Sequence, residues 1–391
     1  MRKRWLVSWL VGWAVAAALV TSIVSAQGVA LTRGPYLQST ARDRTIIVWQ
    51  TTAPGDSLVE YGETDYAQAV SDPTPVTTHV MILTGLTAGA TYQYQIKTGG
   101  NLLHQATFTT APDSGEPFSF VMIGDSGTGS QAQLDVAAQM LALDPDFMLH
   151  LGDVIYQYGQ ADGYDPFFFQ PYRELLDSAP VFPSLGNHDY RTANAQPYLD
   201  VFYLPTNNPA GAERYYSFDW GDAHFVALDT NLSGSAREDM RQWLQADLSA
   251  STATWKFVFF HHALYTSGPH QTDATLPALR DALAPIFEQA GVDLVFAGHD
   301  HDYERSTPRR EYAPDAAGVV YIVSGGGGAS LYAVGASDFT AFSASLHHTV
   351  QVRIAGCILS LRAVDTGGAV FDQIALAKCP HAVYLPIMLK N

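Results

Sequence analysis

The sequence predicts a small all-β sandwich followed by a larger α/β layered domain. Up to about Pro112 the apolar residues fall in short β-branched and aromatic runs cut by Gly and Pro, the texture of half-buried strands. Beyond Pro117 the runs become continuously apolar and alternate with helix-length segments, as in strands covered on both faces. Five of these later runs end on residues able to bind metal ions. A chain of 391 residues, 47% hydrophobic, can bury more than one core. Acidic side chains outnumber basic ones, 38 to 21, for a formal net charge of −17. That balance excludes a nucleic-acid binder working through a broad cationic face, so no nucleic-acid partner is expected. Any phosphate the chain handles must meet a local cation.

In chain order, Arg2, Lys3 and Arg4 precede an apolar stretch from Trp5 to Val24 that closes on Ser25 and Ala26. Residues 1–26 therefore read as a signal peptide, which predicts export outside the cell or into its envelope, without stable membrane insertion after cleavage. An uncleaved anchor is the alternative, because the stretch approaches the ~20 residues a bilayer crossing needs. Within 28–112, strand candidates are Thr45–Thr51, Ser57–Tyr61, His79–Leu83 and Thr91–Ile96. The run Leu83–Tyr94 resembles the late-strand signature of fibronectin type III-like domains. Residues 113–117 read as a linker and 118–378 as the α/β domain, with helix-like segments Gln131–Leu143, Arg237–Leu248 and Leu276–Gln289. Gly325–Gly328 reads as a turn, since no Lys-Ser/Thr follows as in a phosphate-binding loop. Cys357 and Cys379 are either bridged, as export permits, or two separate buried thiols. The tail, 379–391, is too short to span a membrane.

The chemistry sits where the strands end. Phe118–Ile123 leads into Gly124-Asp125, and Phe147–Leu151 into Gly152-Asp153-Val154-Ile155-Tyr156. Val181–Leu185 ends in Gly186-Asn187-His188-Asp189, Lys256–Phe260 in His261-His262, and Val292–Ala297 in Gly298-His299-Asp300-His301. In α/β sheets, loops at the carboxyl ends of strands converge over one edge. Any one of these motifs alone is a plausible turn or helix cap; together they form an oxygen and nitrogen donor set without thiolate, suited to iron, manganese or zinc. Crowding so many polar groups at one edge favours two cations, about 3.5–4 Å apart and bridged by a carboxylate.

The order of these motifs resembles the metallophosphoesterase superfamily, specifically its purple acid phosphatase branch in the two-domain form. Tyr156, three residues after Asp153, carries the branch assignment, and Gly298–Arg305 is similar to the family's last motif. The resemblance implies a four-layer α-β-β-α sandwich behind a fibronectin type III-like N-terminal domain. It also implies a dinuclear metal centre. Asp125, Tyr156 and His301 would hold Fe3+ at a first site, Asn187, His261 and His299 a divalent Fe, Zn or Mn at a second, and Asp153 would bridge them. His188 matches a histidine that contacts substrate phosphate and can protonate the leaving group, and His270 a second histidine of the substrate pocket. His262 and His150 read as structural; His224, His347 and His348 receive no role. The implied function is a secreted phosphatase that hydrolyses small phosphate monoesters with a metal-bound hydroxide, best at acidic pH. A phosphodiesterase or nucleotidase on the same site, and a catalytically inactive cell-surface binding protein, are the alternatives.

Overall fold

The computed structural model describes residues 28–379. The proposed signal peptide and the tail beyond Cys379 lie outside the described residues, among which no helix is long and apolar enough to cross a membrane. The N-terminal unit is one antiparallel sheet of β1 (Leu31–Gln38), β2 (Arg44–Gly62), β3 (Gln68–Thr84), β4 (Thr91–Thr98) and β5 (Asn101–Thr109). The first half of β2 pairs with β1 and with the end of β3; its second half pairs with the start of β3 and with β4. Two of the strand candidates are thus one strand. Pro54 and Gly55 do not break it but sit at register shifts between Gln50 and Ser57, where a bulge tolerates the missing donor and bends the strand. Pro73 and Pro75 lie inside β3 opposite the same irregular stretch. The bent sheet folds into a sandwich-like unit around Ile47, Trp49, Met81, Tyr94 and Phe108.

Alternation along β1 and β2 sends the neighbouring residues the other way. Tyr36 and Val48 join the core of the second unit, as the period of two in a strand requires. Polar contacts fix the junction. The Tyr36 hydroxyl donates to the Val201 carbonyl (2.8 Å), the Tyr94 hydroxyl to that of Asp177 (2.7 Å), and Arg33 pairs with Asp165.

The second unit begins with β6 (Phe118–Ile123), α1 (Gln131–Ala142), β7 (Phe147–His150), α2 (Arg173–Leu176), β8 (Val181–Pro183), α3 (Gln196–Leu199), β9 (Tyr216–Trp220) and β10 (Ala223–Ala227). There follow α4 (Gly234–Ala250), β11 (Trp255–His262), α5 (Leu276–Ala290), β12 (Leu294–Gly298), β13 (Tyr303–Ser306) and the short hairpin β14 (Arg309–Arg310) and β15 (Ala313–Pro314). The last strands are β16 (Val320–Ser324), β17 (Thr340–Ala344), β18 (His348–Ala355), β19 (Ile358–Asp365) and β20 (Val370–Ala377). They form a six-stranded sheet, β20-β19-β18-β6-β7-β8, and a seven-stranded one, β17-β13-β16-β12-β11-β10-β9.

Residue alternation builds the four layers. Phe225, Phe257 and Phe296 of the seven-stranded sheet meet Phe120 and Phe147 of the six-stranded sheet. Their neighbours Val226, Val258 and Val295 point to the opposite face, against Leu244 of α4 and Leu283 and Phe287 of α5. α1 lies outside the six-stranded sheet, where Val136 and Met140 are buried. Cys357, in the β18–β19 turn, and Cys379, just past β20, are joined as a disulfide with Cα atoms 5.0 Å apart, which resolves the alternative that the spacing left open. Closing that loop contributes ~3 kcal/mol by chain-entropy arithmetic.

Candidate metal centre

β6, β7 and β8 run parallel, as do β10, β11, β12 and β16, and the carboxyl ends of the two sets meet at the seam between the sheets. The six-stranded sheet supplies the oxygen donors Asp125, Asp153, Tyr156 and Asn187; the seven-stranded sheet supplies the imidazoles of His261, His299 and His301. Asp125, Asp153 and His299 adopt φ of 61°, 53° and 74°, a left-handed conformation that costs a non-glycine residue about 1–3 kcal/mol. The glycines beside the donors have a separate reason. A Cβ on Gly186 would run into the Asp153 carboxylate, and one on Gly298 into that of Asp125, so only a bare backbone lets each carboxylate reach across.

All seven residues come together. The Tyr156 hydroxyl oxygen lies 2.9 Å from Asp125 Oδ1, 3.1 Å from Asp153 Oδ2 and 3.0 Å from His301 Nε2. His261 Nε2 lies 2.9 Å from Asn187 Oδ1, 3.1 Å from His299 Nδ1 and 3.4 Å from Asp153 Oδ2. Asp153 therefore touches both groups of donors. Backbone carbonyls set the tautomers: His261 Nδ1 donates to Leu151 (2.9 Å) and His301 Nδ1 to Ser330 (2.8 Å), which turns each Nε2 inward. Such outer contacts orient metal-binding imidazoles.

The donor chemistry fits cations. Asp125 and Asp153 are 0% and 2% exposed, and among the described residues their only ion-pair partners are His188, His261 and His301. Asp125, Asp153 and His261 each offer a ligand atom within 4.8 Å of the others. Burial pushes the Asp153 carboxyl up, but the charges of His261 and His188 pull it below the usual carboxylate range. Burial would lower His261, yet Asp153 and Asp125 hold it at about 9. His299 is driven far down by burial and by His261, His262 and His270. Tyr156 is raised well above an ordinary phenol by burial and by both carboxylates, so its ionisation requires a compensating cation. Among the described residues the buried Nε2 of His299 has no hydrogen-bond partner; Asp273 lies 3.6 Å from it.

His188 and His270 flank the cluster. The His188 Nδ1 donates to the Gln157 carbonyl (2.7 Å), leaving Nε2 3.8 Å from Asp153 Oδ2, and burial lowers the ring below its ordinary value. His270 stacks on His299 with ring centroids 3.9 Å apart. His262 bonds Thr230 Oγ1 and is pushed down to about 3 by burial and by His261. His150 is buried against Ser126 Oγ at 2.8 Å.

Sequence reasoning gave no role to two acids inside its own motifs. Asp189 accepts the amides of Gly186 (2.9 Å) and Val154 (3.0 Å), tying the β7 and β8 loops together, and burial with Asp153 nearby raises it to about 7. Asp300, between His299 and His301, is fully buried and bonded to His270. The Gly325–Gly328 run does more than turn. A Cβ on Gly325 or Gly327 would strike the Asp300 or Gly124 carbonyl, and the segment beyond donates Ala329 N to the Asp125 carbonyl and Tyr332 N to that of His301. The clue available was position: glycines directly after a buried strand of the same sheet.

A family model for calcineurin-like phosphoesterases matches residues 118–303. Purple acid phosphatase 15 of Arabidopsis thaliana is 27% identical over 312 residues, 71% of this chain and 58% of its own. Purple acid phosphatase 22 of the same plant is 30% identical over 257 residues, 62% and 57%. The chain thus spans under three fifths of the length of these two relatives. In structure it is similar to a purple acid phosphatase from yellow lupin (Lupinus luteus) seeds, with a TM-score of 0.76 at 20% identity over 88% of this chain and 74% of that one. The matched phosphoesterase region contains all seven donors, including the tyrosine at the end of the β7 loop, and these matches support the purple acid phosphatase branch of the metallophosphoesterase superfamily.

Proposed function

We propose that this chain is an exported phosphatase that hydrolyses phosphate monoesters at a dinuclear metal centre, most actively at mildly acidic pH. One observation carries the reading: seven donors from five strand ends, in two sheets, converge around the buried Asp153 carboxylate. Asp125, Tyr156 and His301 would hold Fe3+, Asn187, His261 and His299 a divalent Fe, Zn or Mn, with Asp153 shared. Bound there, such a pair supplies Lewis acidity and an activated water.

The chain's own groups do the rest. The Gln157 carbonyl fixes the His188 tautomer so that Nε2, on the Asp153 side, carries the exchangeable proton. In its protonated form that nitrogen donates to the departing oxygen, the general-acid role; in its neutral form it accepts. His270, part-exposed beside His299, is positioned to bind a phosphoryl oxygen. Export is supported by the basic and apolar N-terminus together with the Cys357–Cys379 disulfide.

The test is metal analysis with a visible spectrum, paired with rates on an aryl monoester and an aryl diester across pH. About two metals per chain, one of them iron, with a tyrosinate band and faster monoester turnover below pH 7 support the proposal. Faster diester turnover replaces the substrate class. Full metal loading without turnover on any ester favours a binding protein.

A further inference from the structure

The residue between the two histidines of Gly298-His299-Asp300-His301 is not a spacer. Its carboxylate is 0% exposed and is bonded to Thr266 and His270. Asp300 Oδ1 lies 2.7 Å from His270 Nδ1 and accepts the His270 backbone amide at 3.3 Å, while Oδ2 accepts the Thr266 hydroxyl. A Cβ on Gly268 would come within 2.6 Å of Asp300 Cγ, so the loop from Thr266 to His270 wraps the carboxylate closely. Among the described residues no Lys or Arg pairs with Asp300; its ion-pair partner is His270.

This anchor differs in kind from that of the other flanking histidine. His188 is held by a neutral backbone carbonyl, His270 by a buried carboxylate on the very turn that carries two metal donors. With Nδ1–H committed to Asp300, the His270 nitrogen free to meet substrate is Nε2, and the ring is braced by stacking on His299. A carboxylate in this position fixes tautomer and orientation, as in acid–imidazole pairs of hydrolases.

We propose that Asp300 is a positioning residue that holds His270 as its Nδ1–H tautomer and aims Nε2 at the substrate phosphoryl group, so that one tripeptide sets both metal donors and substrate contact. This rests on the phosphatase reading above for its catalytic consequence, but not for its structural core.

The experiment starts with 15N spectra of the histidine-labelled full chain loaded with zinc, the His270 signals being assigned with His270→Gln. The Nδ1–H tautomer is expected in the wild type and in Asp300→Asn, whose amide oxygen still accepts that proton, and is expected to be lost in Asp300→Ala. This readout holds whether or not any ester is hydrolysed, so a failure of the phosphatase reading leaves it intact. In turnover, Asp300→Ala should lower kcat on an alkyl phosphate by about 10- to 100-fold at unchanged metal content, with Asp300→Asn recovering most of it and Thr266→Val giving a smaller loss. The double variant His270→Ala/Asp300→Ala should be no slower than His270→Ala alone, because the two act as one unit. An unaltered His270 tautomer in Asp300→Ala, or a double variant that loses the full product of the two single effects, overturns the proposal. Where Asp300→Ala does not fold or load zinc, the other two variants decide: loss of the Nδ1–H tautomer in Asp300→Asn, or a rate loss in Thr266→Val that is as large without His270 as with it, overturns the proposal equally.

Discussion

Two clusters of histidine and aspartate in this molecule show what the same side chains do for different ends. His224 of β10 sits between Asp219 of β9 and Asp247 of α4, with Nδ1 2.7 Å from one carboxylate and Nε2 2.8 Å from the other. Two ring N–H groups meet two acceptors, so a single extra proton completes the arrangement. At the sheet seam the count does not close. The one hydrogen of Tyr156 faces two carboxylates and an imidazole nitrogen, and His261 Nε2 faces an amide oxygen, a carboxylate and a second imidazole. Lone pairs outnumber protons there, and buried lone pairs without partners are costly. The lesson is that acid–imidazole proximity alone does not mark a metal site; converging acceptors do.

The two clusters separate most widely when the shared carboxylate is removed. Asp153→Asn should lower phosphoester hydrolysis by more than about 100-fold, beyond the cost of losing an outer contact, and should reduce bound metal measured by elemental analysis. Asp247→Asn should leave turnover unchanged. Activity surviving in Asp153→Asn would put the two clusters in one class.

Removal of metal sharpens the contrast next. A ligand held at 100 to 1,000 times its Kd adds about 3–4 kcal/mol to stability, so a chelator should lower Tm by about 5–15 °C, at 2–4 °C per kcal/mol. The same drop is expected in His224→Gln, whose ring meets its two carboxylates with its own protons. Smaller again is Tyr156→Phe: about tenfold lower activity with bound metal retained and any tyrosinate-to-metal band abolished, since only the hydroxyl is lost.

Why the seam was legible in the sequence, and much around it was not, follows from the same physics. Asp125, Asp153, Asn187 and His299 each follow or adjoin a glycine at the end of an apolar run, because the strand must be buried and the carboxylates must reach across bare backbone. These constraints are local. Asp300 depends on His270, 30 positions away, and nothing in a Gly-His-x-His spacing marks its middle residue. Pro54 and Gly55 read as strand breaks in a linear pattern, whereas β2 passes through them at a bulge whose partner strand the pattern does not name. The Asp219–His224–Asp247 cluster was invisible for the opposite reason: its residues lie on a hairpin and a distant helix and carry no motif at all.

That silent cluster gives the smallest effect and the cleanest sign. Burial pushes the His224 ring down, but its hydrogen bonds and charges with Asp219 and Asp247 outweigh this and raise it to about 9. Because the folded value exceeds the ordinary ~6.5, the contribution is fully present below pH ~6.5 and is lost as pH rises through about 9. Its ceiling is ~3 kcal/mol, and the 72% exposure of the Asp219 side chain reduces this to about 1–2 kcal/mol. In excess chelator, which removes the metal contribution, wild type should melt a few degrees above His224→Gln at pH 6, with the gap closing by about pH 9–10. A gap that widened with pH would mean that His224 is held neutral, so that proton count would no longer separate this cluster from the one at the seam.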